Sequence, residues 1–113
     1  MSCSIPEPNH VNRKLMFIID IHYTAPLEEV DQYIEGHTAY LKKYVENDTF
    51  IVTGRKVPRT GGILIANAGS KEEVEKIITE DPFYQHHVAE MTITEFLHAR
   101  HNPALDELLG KTV

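Results

Sequence analysis

Leu27, Val30, Ile34, Leu41 and Tyr44 recur at helical intervals, a pattern that a 3.6-residue repeat gathers onto one face. The opposite face of residues 27–45 carries Glu28, Asp31, Glu35, Lys42 and Lys43, an ordinary solvated surface. A helix of this kind gains most of its stability by laying its apolar stripe on another surface. The spacing predicts one continuous helix over 27–45, with Thr24 as its N-cap and Pro26 in the first turn, where a missing N–H does no harm. His37 falls on the same stripe, between Ile34 and Leu41. An imidazole facing inward needs a partner or a task, since an unpaired buried polar group costs roughly 1–3 kcal/mol.

The flanking segments supply the surface on which that stripe would pack. Residues 14–22 (Met16, Phe17, Ile18, Ile19, Ile21), 49–57 (Phe50, Ile51, Val52, Thr53), 63–68 and 88–98 are rich in β-prone side chains and read as strands. Gly61-Gly62 marks the turn between the second and third strands. Ser70 followed by Glu73 is a capping box that opens a second helix striped by Val74, Ile77 and Ile78. Asp81-Pro82 ends it, and residues around His86 and His87 form a connection to the last strand. Asn102-Pro103 starts a short C-terminal helix over 104–109, closed by Gly110. The order is β-α-β-β-α-β, an α+β ferredoxin-like pattern with a four-stranded antiparallel sheet. It divides the chain into a disordered N-terminal arm (1–13), one domain (14–100) and a helical tail (101–113).

Alternation in the first strand sends Phe17, Ile19 and Ile21 to one face and Met16 and Ile18 to the other. The third strand behaves alike, so both sheet faces are partly apolar, yet two helices cover only one. A second copy of the chain is the simplest cover, and a homodimer, or a higher assembly of it, is expected. Leu105, Leu108 and Leu109 of the tail extend that surface.

A formal net charge of −6 argues against nucleic acid and anionic membrane as partners, since both demand a basic surface. The longest apolar run, 15–19, is far too short to span a bilayer. The single cysteine, Cys3, lies in the arm and forms no intrachain disulfide, so the cytoplasm is the expected address. His98 and His101, the adjacent His86 and His87, and His10 do not make the converging set that zinc needs, and no metal site is expected. No phosphate loop, nucleophile elbow or dinucleotide fingerprint occurs, so no cofactor is expected either.

Gly36-His37 through Leu41, Thr53-Gly54, Pro58-Arg59-Thr60-Gly61-Gly62 and Asp81-Pro82-Phe83, in this order and on this topology, resemble the YciI-like (YCII-related) proteins. The resemblance covers roughly residues 14–100 and implies a dimeric α+β barrel whose site is a His–Asp pair near the dimer interface. That pair falls here on His37 and Asp81. One branch resembles dehydrochlorinases of chlorinated hydroxyquinols, which eliminate HCl by proton transfer. Where Gly-Pro is frequent in the family, Gly54-Arg55 stands here and puts a cation at the cleft mouth.

The physical case for the pair is that an aspartate on one imidazole nitrogen fixes the tautomer and raises the basicity of the other. A turn aspartate and a satisfied core histidine would account for the same residues. Arg59 and Arg55 are candidate clamps for a small anionic or aromatic ligand, or else a charged hairpin tip that keeps an edge soluble. His22, with Asp20 on the same strand face, is a candidate substrate contact or simply a polar strand end. The expected activity is cofactor-independent proton transfer of the lyase, isomerase or dehydrochlorinase type; the alternative is a dimerisation or ligand-binding domain without turnover.

Overall fold

The computed structural model describes residues 15–110. The arm at 1–13 with Cys3 and the end of the tail lie outside the described residues. The hydrophobic run of the first strand becomes β1 (Leu15–Tyr23), and it occupies the centre of the sheet. It pairs antiparallel with β3 (Gly61–Asn67) on one side and with β4 (Ala89–Leu97) on the other, while β2 (Phe50–Arg55) flanks β3. The strand order β2-β3-β1-β4 is the four-stranded antiparallel sheet expected from the element order. Phe17, Ile19 and Ile21 of β1, Leu64 and Ala66 of β3 and Phe50 of β2 point to the helix-covered face and form the floor of the core. Burying each such large apolar side chain contributes about 1.5–3 kcal/mol.

The helix expected over 27–45 is two helices. α1 (Leu27–Asp31) ends at Gln32, and α2 (Ile34–Glu46) begins after Tyr33. The Gln32 and Tyr33 amides bond back only three residues, to the carbonyls of Glu29 and Val30, which tightens the turn and breaks the helical ladder. Tyr33 thereby stacks on His86, ring centroids 4.0 Å apart. The break also changes the phase of the stripe. Leu27 is 42% exposed, whereas Tyr40, off the expected stripe, is buried beside Tyr44 and Phe50. Thr24 is not the cap; Pro26 holds that position, and its carbonyl accepts from the Glu29 and Val30 amides.

The capping box on α3 (Lys71–Ile78) forms, with Ser70 Oγ accepting from the Glu73 amide at 3.1 Å. The Glu73 carboxylate reaches the Gly69 amide, one residue before the usual position. Two tyrosine hydroxyls tie α2 to this helix: Tyr40 donates to the Ile77 carbonyl (3.0 Å) and Tyr44 to Glu80 (2.7 Å). The stretch after Asp81, expected as a connection, contains a further helical turn, α4 (Pro82–Gln85). Asp81 is its N-cap, accepting from the Phe83 amide at 2.9 Å, and Pro82 fits the first helical position. Gly36 lets α2 approach this turn, because a Cβ there would stand 3.2 Å from Pro82 Cγ.

On the uncovered sheet face Ile18 lies opposite Ile65 and Thr94, and Ile65 lies opposite Val52, which is 53% exposed. A 3-10 turn (Pro103–Leu105) leads into α5 (Asp106–Leu109), whose Leu109 is buried. His98 Nε2 and His101 Nδ1 are 2.8 Å apart, and His101 Nε2 donates to the Asp106 carboxylate at 2.9 Å. This chain of side chains runs from the end of β4 into the tail. Among the described residues no helix is long and apolar enough to cross a membrane.

Candidate active site

α2 and α4 converge where Gly36 removes the Cβ that would separate them, and this brings together His37 and Asp81, 44 residues apart in sequence. His37 Nδ1 donates to Asp81 Oδ1 at 2.9 Å. Both side chains are withdrawn from solvent, with His37 8% and Asp81 1% exposed. The same carboxylate oxygen caps α4, so Asp81 is fixed by backbone and imidazole together. The Phe83 ring stacks on His37 with centroids 3.9 Å apart and planes within 10°. Tyr23 meets the edge of Phe83 at 5.8 Å. The imidazole is therefore held by a hydrogen bond along its plane and by an aromatic ring against its face.

A carboxylate accepting at Nδ1 assigns the neutral ring its proton there and leaves Nε2 as a lone-pair acceptor. Nε2 has no hydrogen-bond partner among the described residues, and His37 lines a cleft of about 210 Å³ between α2 and the strands β1, β2 and β3. Aliphatic walls come from Ile21, Ile34, Leu41 and Leu64, and hydroxyls from Thr38 and Thr53. Gly61 closes one wall against β1 so tightly that a Cβ would fall 1.8 Å from the Ile21 carbonyl oxygen. The glycine pair read from the sequence as a turn is thus a requirement for close strand packing.

Of the five residues singled out in the sequence, two line the cleft, His37 and Arg55, and Asp81 stands behind His37. Arg55 lines it beside Gly54 and is exposed. Arg59 does not line it; its guanidinium is hydrogen-bonded to Asp31 of α1 and lies 5.8 Å over the Tyr23 ring. That hydrogen bond pulls the Asp31 carboxyl below its usual range and pushes the Arg59 guanidinium further up. His22 is exposed on the far face of the sheet, opposite Gly61 and Glu90. Asp20, on that face too, is paired with Lys56 at 2.6 Å. Sequence reasoning missed Phe83 as the ring that stacks on the histidine. Its place two residues after Asp81, next to a helix-capping carboxylate, was the available signal. Among the described residues no group of three histidine, cysteine or acidic side chains is arranged to hold a metal ion.

The family model of the YCII-related domain matches residues 15–97, from the first residue of β1 to the last of β4. The chain belongs to the YCII-related family. This YCII-related domain is similar in structure to the 5-chloro-2-hydroxyhydroquinone dehydrochlorinase (TftG) of Burkholderia phenoliruptrix AC1100, solved in complex with 2,5-dihydroxybenzoquinone. The match has a TM-score of 0.64 at 23% identity and covers 78% of this chain and 98% of that one. At that identity the likeness speaks for a shared fold. A search of curated protein sequences returned no match.

Proposed function

We propose that this YCII-related protein is a small-molecule enzyme that works by cofactor-independent proton transfer, of the lyase, isomerase or dehydrochlorinase type. The observation that carries the reading is the buried hydrogen bond from His37 Nδ1 to Asp81, in a residue whose other nitrogen has no hydrogen-bond partner among the described residues and stands beside a cleft. In the proposed step His37 Nε2 takes a proton from the substrate, and Asp81 stabilises the imidazolium that results. For an elimination of HCl, the electrons of the broken C–H or O–H bond move into the substrate π-system. The C–Cl bond breaks, chloride leaves, and His37 returns its proton to water. The fold likeness to a dehydrochlorinase supports this choice of reaction.

The assembly proposed with it is a homodimer built on the uncovered sheet face, where Ile18, Val52 and Ile65 present apolar surface. The reaction is tested by following chloride release from 5-chloro-2-hydroxyhydroquinone against the buffer rate. His37→Gln is expected to lower the rate about 10²–10⁴-fold, the usual worth of a positioned general base. Asp81→Asn keeps a good N-cap for α4 but not the carboxylate, and it is expected to lower the rate while the fold persists. Chloride release that ignores both substitutions would contradict the reading.

A further inference from the structure

We infer that the cleft receives a single-ring organic anion, and that Arg55 rather than Arg59 meets its charge. The inference rests on the reading of the cleft as the site served by His37, and it adds the substrate class and a specificity-determining residue. Size comes first. A cavity of about 150 Å³ is enough to hold benzene, so about 210 Å³ seats one ring with small substituents. The lining suits a ring: the aromatic side chains of Tyr23 and Phe83 stand with aliphatic Ile21, Ile34 and Leu64.

Charge decides the rest. Among the described residues no aspartate or glutamate lines this cleft, although the whole chain carries a formal charge of −6. Asp81 lies behind the imidazole and is already engaged by His37 and the Phe83 amide. Arg55 is the cation on the lining, and among the described residues its guanidinium makes no hydrogen bond or ion pair. The carboxylate nearest in effect is Asp31, which feels Arg55 but is bonded to Arg59. Two arginines four residues apart on one hairpin therefore have different duties. Arg59 anchors the hairpin to α1 through Asp31, and this leaves Arg55 to present its guanidinium fork to a ligand carboxylate or phenolate. The Thr38 and Thr53 hydroxyls on the same lining give polar contacts to ring substituents.

The test uses isotope-labelled protein and two probes of one shape, benzoate and benzamide, with binding followed at the Gly54, Gly61 and Gly62 amide signals. Benzoate is expected to bind about three- to tenfold more tightly than benzamide, the range for a charge-assisted contact at a partly exposed site. Arg55→Gln should erase that preference and leave benzamide unchanged, while Arg59→Gln should keep it. Equal affinities in the wild type, a preference that survives Arg55→Gln, one that Arg59→Gln alone removes, or no response of these glycines would each overturn the inference. The catalytic reading fails separately. If chloride release ignores His37→Gln while Arg55→Gln still erases the anion preference, the reading falls and the charge assignment stands. If His37→Gln abolishes release while the preference ignores Arg55, the reverse holds.

Discussion

His37 is expensive to keep where it is. It occupies a helix face that leucine would fill, and it draws a carboxylate with only 1% exposure into the same place. Buried polar pairs hold only when each group is satisfied, and here Asp81 is satisfied twice, by Nδ1 of His37 and by the Phe83 amide. Asp81→Ala is therefore expected to cost about 2–4 kcal/mol in equilibrium unfolding, because it removes a cap and orphans a buried imidazole N–H. A loss below about 0.5 kcal/mol would mean that the pair contributes little to the fold. Tyr44 gives a second residue-level expectation. Burial, and then its hydrogen bond to Glu80, push its phenol from 10.0 up to about 12. The folded state thus holds this proton more tightly than the unfolded chain does. Stability is intact below about pH 10 and falls as the pH rises toward about 12. Tyr40, raised chiefly by burial, adds to the same alkaline loss. Unfolding midpoints measured across this range should fall less steeply for Tyr44→Phe than for wild type, and an unchanged slope would remove Tyr44 from the explanation.

Elements show where local sequence speaks and where it does not. Every strand and the capped helix α3 were legible, because β-branched runs, Gly-Gly and Ser-x-x-Glu are local signals with local causes. The break between α1 and α2 was not, since no glycine or proline marks it. It coincides with a tertiary contact, the stacking of Tyr33 on His86, for which a sequence pattern has no term. α4 was hidden for a related reason: Asp-Pro ends one helix and caps the next, and only the first use was read. In the site, His37 and Asp81 were legible from the stripe and the turn, helped by the family resemblance. The different placements of Arg55 and Arg59 were not, because they depend on where α1 sets Asp31. Gly61 is the most demanding backbone position. Gly61→Ala forces a carbon into the Ile21 carbonyl of the neighbouring strand and is expected to cost at least about 3 kcal/mol or to prevent folding. An alanine variant with wild-type unfolding would contradict the strand packing described. At the other end, Asp106→Ala removes the acceptor of His101 and should speed amide exchange in α5 while the sheet keeps its protection. Unchanged exchange would show that the histidine chain does not hold the tail.

Among the described residues, helices cover one face of the sheet, and the other face carries half-buried isoleucines and an exposed valine. The dimer proposed on that face would make thermal stability depend on protein concentration. Ile65→Lys should convert the wild-type sedimentation species to one of half its mass while keeping the amide fingerprint of the domain. A monomer in the wild type would sink the proposed dimer without touching the His37 site, which lies between the sheet and the helices. In that site His37 is held by Asp81 at Nδ1, so that Nε2 is a bare acceptor on the cleft. Nitrogen NMR of the isotope-labelled imidazole in its neutral form reads the tautomer directly. A protonated Nδ1 and an unprotonated Nε2 are expected, with that order weakened in Asp81→Asn. A ring protonated at Nε2 in the wild type would contradict it, because no base would then face the cleft.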